Sequence, residues 1–186
     1  MRVEYSMFIN NPKTDEIYSW LQRELRTDHA GETGAIAIYD GILAMSSCKK
    51  VRGFATRHRE TEKQHLQRIE SLLPVSQRSF LLPVWRIAGF LTGAIPALIS
   101  SSMVFATIAA VESFVDSHYS QQINRLSDKP LYSDISDILQ ECRQDELEHR
   151  DEAIKLQVLE PGVFVRGWCW LVGFGSVISV SLARRV

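Results

Sequence analysis

Apolar side chains recur every three or four residues along most of the chain, and no long stretch alternates with period two. That pattern predicts an all-α protein with four long helices. The first is expected at about residues 15–46, with Thr14 or Asp15 able to cap it. The second is expected at about 49–73, stopped by Pro74. The third spans about 97–126 and ends at the turn Ser127-Asp128-Lys129-Pro130. The fourth spans about 133–159, ahead of Pro161-Gly162. Two segments depart from the amphipathic pattern. Ser79 to Val111 carries a single charge, Arg86, and is interrupted by Pro83, Gly89, Gly93 and Pro96. Gly167 to Ala183 carries none and is followed by Arg184-Arg185. Each is long enough to raise the question of a membrane. Short links within each pair of helices and one long apolar connection between the pairs predict a four-helix bundle. It would be built from two hairpins, with an apolar crossover at about 79–97 and an apolar C-terminal helix at about 163–185.

Composition narrows the picture. A chain of 186 residues, 45% hydrophobic, suits one domain with a substantial core. A formal net charge of −1 supplies no basic field for nucleic acid. Cys48, Cys142 and Cys169 are scattered, with no CxxC, and read as buried free thiols rather than a disulfide framework or zinc site. The first eighteen residues, MRVEYSMFINNPKTDEIY, have no apolar run of signal-peptide length and carry early acids, unlike a transit peptide.

The chemistry lies in two Glu-x-x-His motifs, Glu62-Lys63-Gln64-His65 and Glu146-Leu147-Glu148-His149. Residues three apart share one helix face, so a carboxylate and an imidazole can converge on one ion. Each motif follows a single glutamate on the preceding helix, Glu32 or Glu112, so the two hairpins repeat one pattern. A ferritin-like di-iron bundle takes one Glu from each of two helices and Glu-x-x-His from each of the others. Glu112 is the most telling residue, because it sits in IAAVESFV, where an unpaired carboxylate would be costly. Glu32 lies in HAGETGAIAIY, whose small residues allow close helix approach. Four carboxylates balance two divalent ions, and oxygen and imidazole donors suit iron, or manganese in its place. Asp145, just before Glu146, is placed either to accept the N–H of a histidine from the other hairpin or to stand in solvent, whereas Thr61 holds the equivalent place in the first hairpin. His29, His58 and His118 read as ordinary polar positions; His118 and Tyr119 lie two turns past Glu112, near enough to line a pocket.

The runs LRTDHAGETGAIAIYDG, ETEKQHL, AAVESFVDSHYSQQI and DELEHRDEA together resemble the demethoxyubiquinone hydroxylase family, from about Leu25 to Leu156. LLPVWRIAGFLTGA is similar to that family's apolar linker. The resemblance implies an O₂-dependent di-iron monooxygenase of ubiquinone biosynthesis, hydroxylating the ring of a polyprenylated quinone. It implies metal ligands at Glu32, Glu62, His65, Glu112, Glu146 and His149, with Glu62 and Glu146 bridging two iron ions. It also implies a place for Tyr119 beside the substrate. No GxGxxG fingerprint is present, so the electron donor, NADH or a reductase, is expected to come from outside.

A polyprenyl tail lives in the bilayer, so the two apolar segments are expected to give peripheral attachment. Residues 79–97 suit shallow insertion, and Trp168, Trp170 and the terminal arginines suit an interfacial anchor. The expected location is the cytoplasmic face of a bacterial inner membrane, or the matrix side of the mitochondrial inner membrane for a processed eukaryotic chain. The alternatives for the apolar segments are core burial or a contact with another copy or a partner protein. The alternative for function is a ferritin- or rubrerythrin-like iron store or peroxide scavenger. Such a protein has no need of bilayer access, and a rubrerythrin iron site needs more cysteines than this chain carries.

Overall fold

The computed structural model describes residues 12–157 and 160–186, with side chains from residue 16 onward. Among the described residues six α-helices follow one another: α1 Pro12–Met45, α2 Lys49–Leu72, α3 Leu82–Ile99, α4 Ser101–Leu126, α5 Ser133–Leu156 and α6 Val163–Ala183. Residues 1–11 lie outside the described part, and α1 already begins at Pro12, so Thr14 and Asp15, expected as caps, fall within the helix instead. Short links make antiparallel hairpins of α1 with α2 and of α4 with α5. Arg52 closes the first, its guanidinium donating to the Leu43 and Ser46 carbonyls left free at the end of α1. Helix α2 ends where the sequence requires, because Leu73 precedes Pro74 and takes an extended conformation.

The crossover differs from expectation. Residues 79–97 are not a broken linker but most of a continuous helix, α3. Pro83 sits in its first turn, where a missing N–H costs nothing, and Pro96 in its last, where one backbone bond is lost. The following helix therefore starts at Ser101 rather than residue 97, with the Ser100 hydroxyl accepting from the Met103 amide as its cap. Glycines explain where α3 goes. A Cβ on Gly89 would collide with the Gly34 carbonyl, one on Gly93 with that of Ile38, and one on Gly41 with that of Phe90. Helices α1 and α3 thus lie backbone against backbone. Gly34 makes this contact, whereas Gly31 stands in open space.

Two apolar clusters fill the bundle. One holds Tyr39, Ile42, Phe54, Phe105 and Ile108. The other holds Leu21, Leu25, Ile69, Leu126 and Leu139. On every helix of the two hairpins the motif glutamate lies between its contributions to the two clusters, so the acidic layer is sandwiched along the bundle axis. The cysteines are free thiols, but only Cys142 is buried; Cys48 is exposed at the α1–α2 link and Cys169 half-buried, because neither position faces a core.

Helix α6 lies along α4 and α1 and is tied at both ends. Trp168 Nε1 donates to Thr107 Oγ1 at 2.9 Å, and Arg184 grips the buried Glu24 carboxylate with two hydrogen bonds of 2.9 Å. Its inner stripe is half-covered, while Phe164, Trp170, Leu171, Phe174, Val177 and Ile178 face outward. Helix α3 likewise exposes Val84, Ile87, Leu91 and Leu98. Both helices are long and apolar enough to cross a membrane by length and composition.

Candidate metal centre

All six side chains singled out from the sequence meet in the middle of the bundle. Glu32, Glu62, His65 and Glu146 form one group whose ligand atoms lie within 4.8 Å of one another; Glu62, Glu112, Glu146 and His149 form a second. Glu62 and Glu146 belong to both groups. Glu32 comes from α1, the first Glu-x-x-His from α2, Glu112 from α4 and the second motif from α5. Every member is at most 4% exposed, so water cannot solvate their charges.

Both imidazoles turn Nδ1 toward the acids. His65 Nδ1 is 3.1 Å from Glu146 and 3.5 Å from Glu62. His149 Nδ1 is 3.2 Å from Glu62 and 3.1 Å from Glu146. Yet His149 Nδ1, both oxygens of Glu62 and one oxygen each of Glu32 and Glu146 are buried without a hydrogen-bond partner. Polar atoms crowded together but unbonded are expensive in a fold and are what cation ligands look like. The donor set, carboxylates and imidazoles with no thiolate, fits iron or manganese.

The electrostatics agree with a site built for positive charge. Burial pushes the carboxyls of Glu32 and Glu112 well above the usual range, and the acids around them add to the effect. Burial works against the imidazolium forms, but the Glu146 and Glu62 carboxylates outweigh it. They hold His65 far above an ordinary histidine and raise His149 to about 9. Burial would likewise raise Glu62, but His149 and His65 beside it pull its carboxyl below the normal value.

A surrounding set of hydrogen bonds orients these groups. Asp145 Oδ2 accepts from His65 Nε2 at 2.9 Å, the cross-hairpin contact its position suggested. Tyr119 donates to Glu32 Oε1 at 2.5 Å, and Tyr39 donates to Glu112 Oε1 at 3.3 Å. Tyr39 is not among the residues singled out from the sequence. The signal was present: it stands seven residues past Glu32, as Tyr119 stands seven past Glu112. The remaining histidines sit apart from the acids. His29 faces Glu70, His58 pairs with Glu152 and packs edge-on against His149, and His118 contacts Thr27 and Asp28.

A cavity of about 370 Å³ reaches the centre from one side. Glu32, Glu112, Glu146 and Tyr119 form its inner end, and small and apolar residues of α1, α3, α4 and α6 form its walls. Trp85 and Gly89 of α3 and Leu171, Val172 and Gly175 of α6 are among them.

The sequence matches known proteins over this whole framework. The family profile of the ubiquinone biosynthesis protein COQ7 matches residues 19–183. The NADPH-dependent 3-demethoxyubiquinone 3-hydroxylase of Dictyostelium discoideum is 30% identical over 169 residues, 89% of this chain and 77% of that protein. The mouse protein of the same name is 33% identical over 138 residues, 72% of this chain and 64% of its own length. The 3-demethoxyubiquinol 3-hydroxylase of Rhodospirillum rubrum is 35% identical over 134 residues, 70% of this chain and 62% of that protein. The alignment thus spans less than two thirds of the mouse and Rhodospirillum proteins. With the match running through both hairpins, the crossover helix and α6, this chain belongs to the COQ7 family of ubiquinone biosynthesis proteins.

Proposed function

We propose that this chain is a membrane-peripheral di-iron monooxygenase that hydroxylates the ring of a demethoxyubiquinone-type polyprenyl quinone. The observation that carries the reading is the juxtaposition of the buried six-residue centre with an apolar cavity that ends on three of its carboxylates. The names of the relatives point to the same substrate class. In this reading Glu62 and Glu146, common to both groups, would help to hold both ions. Glu32 and His65 would hold one ion, and Glu112 and His149 the other.

The overall reaction balances as ring C–H plus O₂, two electrons and two protons giving ring C–OH and water. Iron, when bound, supplies the redox chemistry that lets O₂ react with a closed-shell ring. The protein's own groups do the rest. The cavity walls take the ring and the start of its tail out of water, which protects the reaction from side paths. Tyr119, in the cavity and bonded to Glu32, fixes that carboxylate beside the substrate. Asp145 fixes the His65 ring with Nδ1 inward. The outward apolar faces of α3 and α6, which flank the cavity, rest on the bilayer so that the tail remains in lipid. The two electrons come from an external donor, a nicotinamide nucleotide or a reductase, in keeping with the NADPH dependence in the relatives' names.

The test combines metal analysis of the purified protein with quinone profiling of a deletion strain carrying wild type or Glu112→Ala. Two irons per wild-type chain are expected. The variant should hold less metal and accumulate the unhydroxylated quinone. Normal quinone made by Glu112→Ala would end the reading.

A further inference from the structure

The duplicated hairpins give the centre an approximate two-fold repeat, but the hydrogen bonds behind its two halves are unequal. The half containing Glu32 and His65 is held on both sides. Tyr119 donates to Glu32 at 2.5 Å, and Asp145 takes the His65 Nε2 hydrogen at 2.9 Å. The half containing Glu112 and His149 is held loosely. Tyr39 reaches Glu112 at only 3.3 Å. The residue equivalent to Asp145 is Thr61, whose hydroxyl turns back to the Arg57 carbonyl. Among the described residues no oxygen accepts from His149 Nε2; the edge-on His58 ring, 4.0 Å away between centroids, packs against that imidazole. His58 is itself bonded to Glu152, so it contributes shape there but no anionic acceptor.

A carboxylate behind a ligand histidine selects the tautomer with Nδ1 free, fixes the ring and makes it a better donor. Only one half of this centre has such a carboxylate. We propose that the two ion positions are inequivalent. The position bounded by Glu32 and His65 fills first and more tightly, and the position bounded by Glu112 and His149 fills only after it. The proposal rests on the metal-centre reading above and adds an order of loading to it. Glu62 and Glu146 belong to both groups, so the first ion would also neutralise part of their charge before the second arrives.

Calorimetric titration of chelator-treated full-length protein with Mn(II) tests the order. Wild type should show two steps separated by at least about tenfold, the lower bound of the effect of such supporting groups. One equivalent should give the electron paramagnetic resonance of an isolated Mn(II). Asp145→Asn keeps the side chain's shape at a partly exposed position and should weaken the first step alone, by about 10–100-fold. His149→Ala should retain one tight ion. Two equal constants in wild type, or a loss confined to the second step in Asp145→Asn, would overturn the proposal. These wild-type and Asp145→Asn results stand even if His149→Ala does not fold. No Mn(II) binding to wild type would instead remove the metal-centre reading itself, so the two failures are distinguishable.

Discussion

Loading the centre should release protons at pH 7, at least about the two that His65 and His149 hold as imidazolium. Four buried carboxylates must be neutralised whether or not metal is bound. Without metal, protons do the work: His65 and His149 are held as imidazolium, and burial raises Glu32 and Glu112 toward the neutral acid. Two divalent ions replace about four protons at constant charge, because ligands bind deprotonated. Overall affinity rises with pH, with log K gaining about one per pH unit for each proton released. The slope drops by about one above pH 9, where His149 has already lost its proton. Folding of the metal-free protein runs the opposite way. His149 is raised from 6.5 to about 9, so its contribution is complete below pH 6.5 and lost as pH climbs through 9. That swing is about 3 kcal/mol. Calorimetry of Mn(II) or Fe(II) binding in buffers of different ionisation enthalpy counts the protons. Release of fewer than about two, or an affinity that does not rise between pH 6 and 8, would refute the electrostatic account.

Three further outcomes follow from particular contacts. Gly93→Ala drives a methyl into the Ile38 carbonyl and should separate α3 from α1, costing about 1–3 kcal/mol or more, read as a lowered Tm. An unchanged Tm would mean that the backbone contact is not tight. Arg184→Ala leaves the buried Glu24 carboxylate without its bidentate partner and frees the end of α6. A loss of about 1–3 kcal/mol and faster amide exchange in the last turns of α6 are expected. The double variant Trp170→Asp, Phe174→Asp places charge on the outward face of α6, where the two rings stack at 5.5 Å. Co-sedimentation with phosphatidylcholine vesicles should fall at least tenfold, given about 1.5–3 kcal/mol for each large apolar side chain buried. Retained sedimentation would assign that face to another surface.

How much was legible depended on the range of the physics involved. Helix positions and the two Glu-x-x-His motifs are local, set by residues three or four apart, and the ends of α2 and α4 fall within a residue of expectation. Helix α3 reads as an interrupted linker in the sequence because proline and glycine are local breakers. Their permissive places, the first and last turns and a backbone crossing with α1, are set by the packing partner. Tyr39 was hidden for a similar reason. In an apolar stretch a tyrosine looks like core, and its hydroxyl gains meaning only when Glu112 arrives from a helix 73 residues away.

By itself, then, the amino-acid order determined the four helices of the repeated hairpins and the six side chains that meet between them, since spacing along a helix sets which side chains share a face. Only tertiary packing decided that α3 and α6 would wall an apolar cavity ending on the acids. It also decided that one histidine would gain a carboxylate behind it and the other would not. Periodicity states that a helix has an apolar face, but the choice of neighbour against that face is made by shape and burial over the whole chain.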